Sequence, residues 1–157
     1  MGAPVNSITR STHDDWQINA CPHHGPGLAL NAGTSGYHTV WFDIRKVNGQ
    51  DQAAVRYARL NAQGEPLSET VRALPDARAE HADVLADGQN VAVVWRSSEG
   101  AVTSLKAWLS TDGGQNLTLK TLGQATGYND HPRLAQSGSR MVVWCNSQET
   151  QVHELRF

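Results

Sequence analysis

A chain of 157 residues, 39% hydrophobic and 18% charged, has the composition of one ordinary globular domain with its own core. A formal net charge of −2 provides no polybasic surface, which excludes nucleic acid and anionic lipid as partners. Nothing approaches the roughly 18 consecutive apolar residues of a membrane span, Met1-Gly2-Ala3-Pro4 lacks the basic and apolar regions of a signal peptide, and two cysteines are too few for a disulfide scaffold, so the chain reads as soluble.

In chain order, residues 1–15 read as an N-terminal segment, natural or a remnant of cloning that replaces a leader. Asp15 to Ala20 alternates and predicts one short strand. Cys21-Pro22-His23-His24-Gly25-Pro26-Gly27 follows, where two prolines and two glycines exclude regular structure and force a tight exposed loop. Four strands are then expected at Leu28 to Asn31, Tyr37 to Ile44, Ala54 to Leu60 and Leu67 to Leu74, separated by Gly-rich or charged turns. A second set falls at Asp83 to Ala86, Asn90 to Arg96, Thr103 to Leu109 and Leu117 to Leu122. The third holds Arg133 to Gln136, Arg140 to Cys145 and Gln151 to Phe157, and lacks a fourth strand.

These sets are one internal repeat. His24, His81 and His131 each open a segment with a Gly-containing turn between two apolar runs, closing on Trp41, Trp95 and Trp144. Spacings of 54 and 49 residues between those tryptophans match the blade length of a four-stranded β-propeller. The fold expected is therefore all-β, a propeller of three four-stranded blades over residues 16–157, with the N-terminal strand making up the one missing at the C-terminus, the usual way a propeller closes without exposed edges. Closed propellers have roughly four to eight blades, so three are half of a ring. Either two chains pair about a two-fold into a six-bladed homodimer or the chain is half of a longer protein; the homodimer is the reading preferred here.

Ser110-Thr111-Asp112-Gly113-Gly114-Gln115-Asn116-Leu117 fits Ser-x-Asp-x-Gly-x-x-aromatic, with Leu117 in the aromatic place. That pattern resembles an Asp-box, a structural turn in which Ser110 and Asp112 bond nearby backbone and Gly114 supplies positive φ. In the first repeat Ala62 to Leu67 keeps only the glycine and the leucine. Box and repeat together resemble the Asp-box (BNR-repeat), sialidase-like propeller family from about Trp16 onward. Cys21 to Pro26 followed by Val40-Trp41-Phe42 is similar to the C-terminal half of bacterial sialidase-like proteins, a resemblance that implies an exported or periplasmic setting. It would also imply three carboxylate-binding arginines, a Tyr nucleophile with a Glu partner and an Asp acid. Arg45, Arg96 and Arg133 occupy suitable loops, but no Tyr and Glu pair accompanies them.

Propeller geometry gathers the segments leading into each innermost strand around one mouth. His23, His24, His81 and His131, with Arg45, Arg96 and Arg133, are thereby expected on one ligand-binding face, opposite the Asp-box turn. Imidazole and thiolate are ligands for zinc or copper, so Cys21, His23 and His24 form a candidate metal set, although their spacing matches no standard zinc motif. The plainer reading has the histidines bonding backbone of a neighbouring blade, Cys145 filling core as a small hydrophobe, and the repeated tryptophans packing. The function expected is a non-catalytic module binding a metal or a small glycan. The alternative is an exo-sialidase type glycoside hydrolase drawing its carboxylates from Asp43, Glu80, Asp83 or Asp130.

Overall fold

A computed structural model of the chain describes residues 8–12, 25–31, 35–127, 130–138, 140–146 and 150–157, with only the main chain described at 140, 142–146 and 150. The described residues form eleven strands and no α-helix. Strands β1 (Gly27–Leu30), β2 (Tyr37–Val47), β3 (Gln50–Leu60) and β4 (Arg72–Ala73) make one four-stranded sheet, and β5 (Ala79–Asp87), β6 (Asn90–Glu99), β7 (Val102–Ser110) and β8 (Thr118–Thr126) make a second. Strands β9 (Arg133–Ser137), β10 (Arg140–Asn146) and β11 (Thr150–Glu154) make a third sheet of three. Every neighbouring pair is antiparallel and consecutive in the chain. The fold is thus a run of simple meanders, set by period-2 alternation and short turns. Between β2 and β3 the turn is Asn48-Gly49, both at positive φ (52° and 81°), the two-residue connection whose twist suits the flanking strands.

Sequence and structure agree on the inner strands to within a few residues and part at the outer strand of the first sheet. Leu67 to Leu74 is expected as one strand; it is a 3-10 turn at Ser68–Thr70 followed by the two residues of β4. The cause is Thr70, which is buried and donates through Oγ1 to the Leu67 carbonyl at 2.7 Å while accepting the Arg59 amide at 2.9 Å. A hydroxyl bonding its own backbone competes with the ladder. The expected strand over Asp15 to Ala20 lies outside the described residues.

The first two sheets stack face to face. Ala29, Val40, Val55, Tyr57 and Leu74 of the first meet Val84, Val91, Val93 and Trp95 of the second in one core, and Trp95 meets Trp108 edge to face at 6.4 Å and 81°. Register makes the repeat explicit: Gly27 pairs with Val40 and Asp83 with Val94, each just before a repeated tryptophan. Leu28 and Leu30 therefore stand where the second sheet has Val84 and Ala86. Val84 is 4% exposed, whereas Leu28 and Leu30, on the outer face of the first sheet, are 63% and 64% exposed.

The third sheet breaks the pattern. It packs on the second through Leu134, Met141 and Leu155, against Ala92, Val94, Leu105, Ala107 and Leu109. In repeat register those residues belong to the face that looks away in the second sheet's own packing.

Candidate functional site

The segment leading into β5 is bent by its own sequence. Register between β5 and β6 shifts between Glu80 and Asp83, so His81 and Ala82 together oppose Trp95, the one-residue excess of a β-bulge. His81 takes φ = 50°, a left-handed conformation that His tolerates better than branched residues but that still costs energy. The bulge re-aims the imidazole along the seam between the second and third sheets, where it stacks on His131 with ring centroids 3.4 Å apart and planes within 13°.

Charged groups of both signs surround the pair. Arg96 Nε donates to Glu80 Oε2 at 3.1 Å, and the His131 amide donates to Asp130 Oδ1 at 2.7 Å. Among the described residues no carboxylate is paired with Arg133. Burial, then the charges of Arg96 and Arg133, hold His131 below the ordinary imidazole value, while Asp130 and Glu80 pull the other way. A neutral ring stacks on its neighbour without charge repulsion and keeps one donor and one acceptor at its edge. The site can therefore offer the His131 edge and a guanidinium to a polar, hydroxyl-bearing ligand, with the fork geometry of Arg133 suited to a carboxylate.

Metal chemistry fits the stack poorly. An ion shared by parallel rings at this separation would sit about 1.7 Å out of each plane, when a Zn–N bond is only about 2.0–2.1 Å and follows the in-plane lone pair. No group of three or more His, Cys, Asp or Glu among the described residues could hold a metal ion. Cys21, His23 and His24 lie outside the described residues, and for Cys145 only the main chain is described.

The other expected residues fall into different roles. Arg45 joins Arg56 on Asp43: both Nε atoms donate to Asp43 Oδ2 at 2.6 Å, and Asp43 is 1% exposed with Oδ1 unpartnered. Asp83 ties three elements, accepting the Val84 amide at 3.0 Å and the Leu134 amide at 2.9 Å while lying against Gly27. Ser110 and Asp112 organise a turn. Ser110 Oγ accepts the Gly114 amide at 2.9 Å, and Asp112 accepts the Gln115 and Asn116 amides at 3.1 and 2.9 Å. These bonds, led by those from Asn116 and Ser110, draw Asp112 down to about 2.

Sequence reasoning missed two features. Asn61 organises the first sheet's turn, accepting the Gln63 and Glu65 amides at 2.9 Å each; it lies just before the Ala62 to Leu67 segment aligned with the box. His38, buried against Tyr57, shares the core-facing register of Val40, which its polarity did not signal.

No protein-family profile and no curated protein matches the sequence. Among solved structures, a GH32 beta-fructofuranosidase of Bombyx mori aligns at 12% identity over 78% of this chain and 28% of the enzyme, with a TM-score of 0.49. A mutant of that enzyme in complex with sucrose aligns at 13% identity over 76% and 28%, with a TM-score of 0.48. This chain thus spans little more than a quarter of their length, and at this likeness neither fold family nor substrate carries over. No helix among the described residues is long and apolar enough to cross a membrane.

Proposed function

We propose that the chain is a non-catalytic, sialidase-like β-propeller module whose three sheets are blades and whose ligand, a small acidic glycan, binds beside His81 and His131. The observation that carries this reading is the stacked imidazole pair built across two successive sheets by a strained bulge: strain of this kind is kept where a side chain has to be aimed. The Ser110–Asn116 turn, with its Asp-box bonding, supports the blade assignment. Glycoside hydrolysis canonically needs two carboxyl groups facing each other across a bond. Here Asp43 lies under two arginines, Glu80 is engaged with Arg96, Asp83 is spent on backbone amides, and Asp130 accepts the His131 amide. That distribution favours binding over turnover.

Calorimetric titration with N-acetylneuraminic acid, and separately with zinc chloride, tests the reading on the wild type, His131→Ala and Arg133→Ala. The acidic sugar should bind the wild type and lose roughly tenfold in affinity with either change, as expected for removing a charged or polar partner worth about 1.5 kcal/mol. Heat with zinc alone would favour the metal reading. Hydrolysis of a fluorogenic sialoside would overturn the non-catalytic one.

We infer further that two copies join to complete a ring of six blades. Exposed Leu28 and Leu30, at positions whose second-sheet counterparts are covered, are the supporting observation, together with a groove of about 510 Å³ beside them lined by Thr9, Ser11, Leu28, Tyr37, Leu60 and Gln63. Light scattering should give twice 17.1 kDa. A monomer would refute it.

A further inference from the structure

His38 has no part in the site above and, with Tyr57, is a titratable ring fully buried in the core. It lies on the face of β2 that meets the second sheet, opposite Ala29 on one side and Arg59 on the other. Its side chain is fully buried. A hydrogen bond of 2.8 Å joins Nδ1 to Tyr57 Oη, the two rings lie at 6.0 Å and 15°, and Nε2 has no partner. Tyr57 Oη in turn abuts Gly114, where an added Cβ would overlap it and would also sit 3.5 Å from His38 Cε1. Imidazole, phenol and glycine thus form one dry seam between the first sheet and the Ser110–Asn116 turn of the second.

We propose that this seam is an acid-triggered release: protonation of His38 places an uncompensated cation between the first sheet and the turn and separates them. The device is independent of the glycan reading. Of the ionisable groups facing it, only the neutral Tyr57 Oη can accept from the cation, through Nδ1, and Nε2–H is left with no acceptor. Arg59 lies opposite His38 and repels it, Arg72 on β4 acts on Tyr57, and Asp112 acts on Tyr57 while its oxygens are taken by Ser110, Gln115 and Asn116. The phenol cannot ionise to help, because burial pushes Tyr57 up to about 12.

The sign follows from the imidazole. Burial first, and Arg59 second, lower His38 from 6.5 to about 4. Between those values the unfolded chain binds the proton and the folded one does not, so stability rises with pH there. The seam's contribution is complete above pH 6.5 and is lost as pH falls toward 4. Asp76 and Asp112, both near 2, titrate below the window.

Thermal melts of the full chain between pH 7.5 and 4.0 test the proposal on the wild type, His38→Gln and His131→Gln. The wild-type midpoint should fall steeply below pH 6.5; His38→Gln should start lower and lose most of that slope, and His131→Gln, whose smaller shift runs the same way, should lose less of it. An unchanged slope in His38→Gln overturns the proposal. If that variant does not fold, NMR titration of the wild-type ring decides: an apparent pKa below about 5, with loss of amide-exchange protection at Gly113 and Gly114 on acidification, supports the release, and a value near 6.5 refutes it.

Discussion

The first and second sheets solve one problem in two ways. Across β2 and β3 Trp41 pairs with Arg56, and across β6 and β7 Trp95 pairs with Lys106, so each repeated tryptophan has a cation beside it. In the second sheet the counter-ion comes from the segment before β5: Asp76 Oδ2 accepts Lys106 Nζ at 2.6 Å and Trp95 Nε1 at 3.0 Å. In the first it comes from within the strand, where Asp43, two residues past Trp41, accepts Arg56 at 2.6 Å. Ser97 fills the position of Asp43 in the second sheet and is only a secondary partner of Lys106, at 3.4 Å. What the repeat preserves is a physical requirement, a partner for a half-buried cation, rather than a residue at a position.

The sharpest way to break this comparison is at the two turns. Gly64 and Gly114 share φ = 80°, but Gly64 faces open space and Gly114 faces Tyr57. Gly64→Ala should cost only left-handed strain, roughly 1–2 kcal/mol, whereas Gly114→Ala adds overpacking and should lose roughly 2–5 kcal/mol in denaturant unfolding. Equal losses would mean that the turn and the first sheet are not in contact.

The counter-ions come next. Asp43→Ala strands Arg56, whose side chain is 12% exposed, and should cost roughly 3–5 kcal/mol. Asp76→Ala leaves Lys106 nearer water and should cost roughly 1–3 kcal/mol. Burial works to raise Asp76, but bonds from Lys106, Trp95, Arg78 and Ser97 outweigh it and bring it from 3.8 to about 2. Its contribution is therefore present above pH 3.8 and lost as pH falls through 2. Urea midpoints should fall further between pH 4.5 and 2 in the wild type than in Asp76→Ala, where only the Asp112 part remains.

The smallest effects belong to the turn acceptors. Asn61→Ala frees two exposed amides and should lower stability by roughly 0.5–1.5 kcal/mol. Asp112→Ala should lower the melting midpoint while leaving any ligand affinity at His81 and His131 unchanged. Loss of affinity without loss of stability would place the turn and the ligand on one face.

Strand positions were legible because alternation and turn residues act locally: Asn48-Gly49 and the Gly-containing turns suit tight reversals wherever they occur. The His81 and His131 pairing was legible as a shared position in the repeat. Its form was not, because the stack depends on a bulge that displaces His81 by one residue, and periodicity carries no record of such an insertion. Asn61 escaped because its side-chain oxygen serves the turn from the position just before the motif, where the pattern specifies no residue.

The sequence by itself determined the all-β meanders, the three-fold repeat and the tryptophan positions, since each follows from the period-2 pattern and the turns that bound it. Only the tertiary structure decided which carboxylate meets which cation, that His38 lies sealed against Tyr57 and Gly114, and that the third sheet turns its Leu134 and Met141 side inward. Those outcomes depend on which faces meet across seams between residues far apart in the chain. There the cost of burying an unpaired charge or an overlapping atom selects among arrangements that local pattern leaves equal.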